Sequence, residues 1–255
     1  MPKVAPPLDI FPAYDKRRAE STGLRRWIYK LSPIPLHTLT PLVFELRLSV
    51  LRMLTRRVPR QFQGMRDLLV NIGPGPYGKP GWVNVDIFKA EGIDCVYDCR
   101  KHLPFPDHAV RALFCEHVFE HIDYTEEAPH FLAECYRVLQ PGGVVRIIVP
   151  DAEAYLRAYC ESGWERLAEV RQLGENRYDP HHGGHYRTKM ELINVLFRQG
   201  FEHKFLYDYE TLALLLKDAG FSQVNRGTFG ESVLDELKID KPERASESLY
   251  VEAIK

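Results

Sequence analysis

The 255-residue sequence has no run of 18 apolar residues, so no segment reads as a transmembrane helix. Its opening, Met1-Pro-Lys-Val-Ala-Pro-Pro, lacks the apolar core of a secretory leader. The five cysteines, Cys95, Cys99, Cys115, Cys135 and Cys160, are odd in number and form no C-x-x-C pair, which argues for reduced thiols and against a zinc ribbon. Internal repeats and long low-complexity tracts are also missing. These absences leave a cytoplasmic enzyme as the expectation. The formal net charge is only −1, yet it is unevenly spread: residues 1–66 carry 13 Lys+Arg against 4 Asp+Glu, and the remainder 21 against 31. Such polarity marks a face for phosphate groups or anionic lipid, or two halves that dock on each other. The basic part has no nucleic-acid reading motif and the rest is acidic, so no nucleic acid is expected as partner.

The chain, 45% hydrophobic, is long enough for one sizeable core with an appendage, and one stretch organises it. Leu68 to Ile72 is short, aliphatic and bounded by turn residues, as a strand buried on both faces is. Gly73 and Gly75 then allow a sharp turn and close approach to a ligand. A second apolar run ends in Asp86, where a carboxylate can accept the hydroxyl protons of a ribose. The letters Gly73-Pro-Gly-Pro-Tyr-Gly78 match G-x-G-x-x-G, but a dinucleotide site needs a helix after the glycines and an acid about 20 residues further on. Asp86 comes sooner, and the prolines and glycines before Trp82 leave room for one helical turn at most. A nucleoside with a small charged tail fits this turn better than a pyrophosphate, which disfavours a dinucleotide-dependent oxidoreductase.

Asn71-Ile-Gly-Pro-Gly75 and Pro80-Gly-Trp-Val-Asn-Val-Asp86 resemble the first two motifs of class I S-adenosylmethionine-dependent methyltransferases, in the branch whose first crossover is shortened to a Pro-Gly-Trp turn. The resemblance continues in order through Leu103-Pro-Phe-Pro-Asp107, Glu116-His-Val-Phe-Glu-His121, Arg137-Val-Leu-Gln-Pro-Gly-Gly143, Val149-Pro-Asp151 and Asp208 to Phe221, about 150 residues in all. It implies a Rossmann-like, doubly wound α/β fold: a mostly parallel seven-stranded sheet with an antiparallel edge strand. It also implies S-adenosylmethionine as cofactor, held by Asn71, Gly73, Gly75, Asp86, Ile87, Asp98, Cys99 and Glu116. Asp98 would contact the adenine amino group and the Cys99 backbone N–H a ring nitrogen. Asn71 stands where many members carry an acid, so the charge that would attract the cofactor's ammonium group is missing there.

Around this centre the domains read as a basic helical extension over 1–66 and a methyltransferase domain over 67–255. Thr40 to Arg57 is a helical pattern with Thr40 as cap and Pro41 at the first position. Val43, Leu46, Val50 and Leu54 form its apolar face, widened by Phe44, Leu48 and Leu51, and arginines occupy much of the rest. Either it packs on the catalytic domain or it rests as a basic amphipathic helix on a membrane surface or a partner. A shorter helical pattern runs near Asp15 to Lys30. Ile93 to Tyr97, Val110 to Cys115 and Val144 to Val149 read as further strands, Asp123 to Glu126 as a capping box opening a helix, and Phe221 to Thr228 and Leu249 to Ile254 as the closing strand pair. An insertion at about 151–205 reads as an acceptor-binding lid, helical over Ala154 to Val170 with a loop over Asn176 to Thr188.

Methyl transfer is expected at the end of the fourth strand, where open α/β sheets bind ligands. His117 is the leading base for an acceptor hydroxyl, with His121 and His185 as further candidates. His181, His182 and His185 are too loosely spaced around glycines for a metal, so no metal is assigned; one of them, with Arg187, is expected to meet the acceptor. The function expected is methylation, chiefly at oxygen, of a small-molecule or glycan-like acceptor. The alternative is a non-catalytic S-adenosylmethionine-binding or membrane-associated scaffold of the same fold. Oligomeric state is not legible.

Overall fold

The aliphatic runs pair into a single sheet. In chain order they are Leu68–Ile72 (β1), Val83–Asp86 (β2), Cys95–Val96 (β3), Val110–Glu116 (β4), Leu139–Pro150 (β5), Gln223–Arg226 (β8) and Ser248–Ile254 (β9); Tyr178–Asp179 (β6) and Gly184–His185 (β7) form a separate hairpin. The computed structural model describes residues 36–199 and 202–255. The helical pattern read over Asp15 to Lys30 lies outside them. The described helices are Leu36–Leu54 (α1), Glu127–Val138 (α2), Ala152–Cys160 (α3), Glu165–Arg171 (α4), Lys189–Arg198 (α5) and Tyr209–Asp218 (α6).

The strand order is β3-β2-β1-β4-β5-β9-β8. β1 through β5 pair in parallel, and the antiparallel strand β9 is inserted between β5 and β8. The order reverses between β1 and β4, and a cleft opens beyond the carboxyl ends of the strands at such a switch point.

The two faces of the sheet are covered differently. On one, Val70, Ile72, Leu113, Cys115 and Ile147 pack against Phe131, Leu132 and Cys135 of α2 and Leu212 and Leu216 of α6. On the other, Ala112, Phe114, Val144 and Ile148 meet Trp82, Leu234, Leu237 and Ile239. A right-handed β1-to-β2 crossover belongs on that second face. Its few residues form no helix, so Trp82 and the segment between β8 and β9 cover the face instead. Arg146 of β5 anchors the segment: it is fully buried and bonds Asp240 at 2.8 and 2.6 Å and Glu252 at 2.8 Å.

Local boundaries differ from expectation in four places. α1 begins at Leu36, so Pro41 lies inside the helix and Thr40 is no cap. Most of its expected apolar face is outward: Val43, Leu46, Val50 and Leu54 are exposed, while of the residues that widen it Leu48 is buried and Phe44 and Leu51 are half-buried, and Glu45 and Arg52 bond the domain. The partner that reaches back to the Asp123 N–H is Glu127, one residue later than the capping-box spacing. The insertion is three helices and a hairpin, because Ser162-Gly163 breaks the expected helix and Thr188 with Glu191 makes a true capping box that starts α5. These helices bury their own cluster, including Tyr155, Leu167, Val170, Tyr186 and Leu192.

Candidate active site

β1 ends in the two glycines that were read as a turn. Gly73 has φ +67°, and a Cβ there would lie 2.2 Å from Cγ2 of Val118. Gly75 has φ +59° with open space where its Cβ would be. The first glycine is therefore required by packing and the second leaves the turn bare. Asp86, at the end of β2, is buried; its Oδ2 accepts from the Gly75 N–H at 3.0 Å and its Oδ1 from the Phe88 N–H at 2.9 Å. Those bonds aim the carboxylate and leave each oxygen one further lone pair. Ile87 follows at the strand end, half-buried. Asn71 donates to Asn84 Oδ1 at 3.1 Å, and Asn84 in turn holds Lys79 and Asp94, so this second asparagine ties the short crossover together.

A cleft lies here, lined by Asn71, Gly73, Tyr77, Phe114, Glu116 and Lys241 among others. Glu116 Oε1 accepts from the Lys241 N–H at 2.9 Å, while Oε2 is buried without a hydrogen bond, 3.4 Å from Lys241 Nζ. Sequence reading missed Lys241, which lies 125 residues from Glu116 in a loop with no motif.

Asp98 has partners other than an adenine. Its carboxylate accepts from Arg52 Nη1 at 2.7 Å, from Arg100 Nε at 3.0 Å and Nη2 at 3.1 Å, and from the Arg100 N–H at 3.2 Å. Burial pushes its pKa up, but the bonds to Arg100 and Arg52 outweigh that and hold it below the usual carboxylate range. The four bonds use its lone pairs. Cys99 beside it is buried, and burial raises its thiol pKa.

The residue after Glu116 turns the other way. His117 has φ +54°, and its backbone N–H is fixed by the Ile148 carbonyl at 2.8 Å. Its ring lines a second, larger cleft with Glu120, His121, Arg171, His182, His203, Arg244 and Glu247. His117 Nδ1 lies 3.3 Å from Glu120 Oε1, and Nε2 lies 2.9 Å from Ser248 Oγ. Glu120 is buried, which pushes its pKa up; the His117 bond and the neighbouring imidazoles prevail and hold it at about 2. Across the cleft Glu247 accepts from Tyr155 Oη at 2.7 Å and pairs with Arg171 and Arg244. Burial raises its pKa, but both guanidiniums overcome this and hold it at about 2.

Of the histidines picked out in sequence, His117 and His121 are brought together and His182 lines the same cleft. His185 is not brought in: it is exposed, beside Tyr178 and the Asn176 carbonyl. Arg187 pairs with its neighbour Glu191, so the lid guanidinium in the cleft is Arg171. Arg171, His203, Arg244, Glu247 and Ser248 carried no sequence signal, because they are brought in from three separate segments: α4, the loop after α5, and the stretch leading into β9.

Residues 86–147 match the family model of a methyltransferase domain. Together with the strand order, this match is consistent with a class I S-adenosylmethionine-dependent methyltransferase. A methyltransferase domain of this kind implies S-adenosylmethionine as cofactor. No curated protein matches the sequence significantly. Among solved structures it is similar to an S-adenosylmethionine-dependent methyltransferase from Archaeoglobus fulgidus, at 19% identity over 84% of this chain and 99% of that one, with a TM-score of 0.45. One from Thermotoga maritima has 18% identity over 82% and 97%, TM-score 0.44. Phosphoethanolamine N-methyltransferase 2 from Haemonchus contortus has 12% identity over 83% and 52%, TM-score 0.41.

Proposed function

We propose that the protein methylates a hydroxyl of a small, polar or glycan-like acceptor held in the larger cleft. The observation that supports this most directly is the divergence of two consecutive residues, Glu116 into the smaller cleft and His117 into the larger, at the end of one strand. Donor and acceptor sites then meet across β4.

The smaller cleft suits the cofactor chemically. Asp86 is aimed and has lone pairs for ribose hydroxyls, Gly73 and Gly75 offer bare backbone, and Glu116 Oε2, which accepts no hydrogen bond and is paired with Lys241 Nζ at 3.4 Å, lies in the same cleft. When bound, S-adenosylmethionine supplies a methyl group on a sulfonium, which departs as a neutral thioether. The chain's residues do the rest: they align the acceptor, exclude water and take one proton. Glu120 accepts the Nδ1–H of His117, which leaves the Nε2 lone pair for the acceptor hydroxyl now represented by Ser248 Oγ. The buried Glu120 carboxylate then stabilises the imidazolium. Lining by Arg171, Arg244, His182 and Glu247 favours an acceptor rich in hydrogen-bonding groups.

Titration calorimetry tests the cofactor half. Asp86→Ala is expected to weaken S-adenosylmethionine binding by about 10- to 100-fold, the loss of one or two hydrogen bonds to a charged group. A folded native protein that does not bind would overturn the reading. Asp98 takes the adenine amino group only if Arg52 lets go of it. Arg52→Ala is therefore expected to tighten binding up to about fivefold, the worth of a half-exposed ion pair; unchanged affinity would leave Asp98 a purely structural partner of α1.

In this reading residues 67–255 are the catalytic domain with a lid at about 151–205, and 1–66 the extension. The extension brings the enzyme to the cytoplasmic surface of a membrane. No described helix is long and apolar enough to cross a bilayer. Leu42, Val43, Leu46, Val50, Met53 and Leu54 are nevertheless exposed on α1, within about a third of its circumference. The exposed Arg56, Arg57, Arg60 and Arg66 follow, with no acidic residue between Leu46 and Arg66. That pairing suits an anionic lipid surface. The protein is expected to co-sediment with vesicles containing phosphatidylserine at low salt, and Leu46→Glu with Leu54→Glu to abolish this; no sedimentation of the native protein would dismiss the idea.

A further inference from the structure

We infer that Glu120, His121 and His203 form a binding site for one divalent transition-metal ion at the floor of the larger cleft. Glu120 is 1% exposed, and its Oε2 has no hydrogen-bond partner. Three imidazoles surround that carboxylate: His117 Nδ1 at 3.3 Å, His121 Nε2 at 3.9 Å and His203 Nε2 at 4.0 Å from Oε1. Only His117 is close enough for a hydrogen bond. His121 and His203 approach the carboxylate without bonding it, and a metal's ligands are spaced in that way. The donor atoms of Glu120, His121 and His203 all lie within 4.8 Å of one another.

The outer nitrogens explain why these two rings point as they do. His121 Nδ1 lies 3.1 Å from the Glu202 carbonyl and His203 Nδ1 lies 2.6 Å from the Leu196 carbonyl. A carbonyl only accepts, so each Nδ1 donates to it and each ring turns its Nε2 toward Glu120. Backbone carbonyls hold metal-bound imidazoles in the same fashion. A buried carboxylate with an unpartnered oxygen and two Nε2 atoms turned toward it make a donor set that one cation can bridge. At metal–ligand distances of about 2.1 Å, two donors of a tetrahedral ion stand roughly 3.4 Å apart, so the spacings to Glu120 of 3.9 and 4.0 Å close by about half an ångström.

Two imidazoles and one carboxylate select a borderline ion such as Zn²⁺, Fe²⁺, Co²⁺ or Ni²⁺ over Ca²⁺ or Mg²⁺. Three protein ligands leave at least one position open, and all three residues line the cleft, so the open position faces its contents. There the ion takes a water molecule or an acceptor oxygen. That it acts on the acceptor hydroxyl, lowering its pKa before the proton passes to His117 Nε2, rests on the methyl-transfer reading above. The binding site itself does not.

The full chain, stripped with chelator, is titrated with Co²⁺ and followed by visible d–d absorption, and with Zn²⁺ by calorimetry. One equivalent of each ion is expected to bind, with d–d bands of nitrogen and oxygen ligation. His121→Ala and His203→Gln are each expected to weaken binding by about 100-fold or more, the upper end of what the loss of an outer-shell partner alone costs. S-adenosylmethionine binding is measured on the same samples and shows that each is folded. A native protein that binds the cofactor but gives no d–d bands and no Zn²⁺ heat overturns the site, and so does metal binding that survives in the folded variants. Should His203→Gln not fold, the more exposed His121→Ala decides alone. Failure to bind S-adenosylmethionine would strike the methyl-transfer reading and leave the metal result standing.

Discussion

His117→Gln is expected to lower kcat for methyl transfer by about 10²- to 10⁴-fold, the range over which a positioned general base contributes. Glutamine keeps a hydrogen bond toward Ser248 but has no lone pair basic enough to take the hydroxyl proton. S-adenosylmethionine affinity should stay within about twofold, because no atom of His117 lines the smaller cleft. The measurement is transfer of labelled methyl from the cofactor to sugars and polar extracts, with calorimetry on the same samples. A variant as active as the native protein would remove His117 from the chemistry and leave alignment alone to account for the rate. Loss of cofactor affinity together with rate would mean that the turn at φ +54° had collapsed, since the two clefts share the backbone of Glu116 and His117.

Arg146→Met is expected to destabilise the fold by about 3–5 kcal/mol, the cost of removing one partner from a buried ion pair. Arg146 and Asp240 are both fully buried, with Glu252 nearly so. The methionine would leave two carboxylates without their counter-charge, and neither can reach water without opening the segment between β8 and β9. Arg146 Nη2 also bonds the Thr228 carbonyl at 2.9 Å, so it holds that segment at both ends. Urea denaturation followed by circular dichroism measures the loss; a change under about 1 kcal/mol would show that the segment is held by its apolar contacts instead. The same variant should weaken S-adenosylmethionine binding, because Lys241 follows Asp240 directly and bonds Glu116.

These two residues differ in how far they could be read in advance. His117 was legible: it directly follows an aliphatic strand, and a doubly wound sheet puts its site at strand ends. Arg146 was not. It sits inside Val144-Val-Arg-Ile-Ile-Val149, where a lone arginine in a buried strand has no partner within reach along the chain; Asp240 and Glu252 lie 94 and 106 residues away. The absent helix of the first crossover was legible from its prolines and glycines, but what replaces it on that face was not.

The α1 helix shows the same division. Periodicity named a broad apolar face, yet the helix docks by only its Phe44, Leu48 and Leu51 edge, where Arg52 and Glu45 reach Asp98 and Arg100. A hydrophobic stripe records which side chains avoid water; it carries no record of whether protein or something else covers them. In the lid, glycine-flanked histidines drew attention, while the imidazole beside Glu120 is His203, 83 positions on.

Local sequence therefore determined the strands, the bare turn at Gly73 and Gly75, the acid at Asp86 and the order of motifs, since each depends on residues within a few positions of one another. Only tertiary structure decided that Glu116 and His117 open into separate clefts, that Arg52 holds Asp98, and that Glu120 is ringed by His117, His121 and His203. Those arrangements are made by side chains from distant segments, and their energies come from burial and charge pairing that exist only once the sheet has closed.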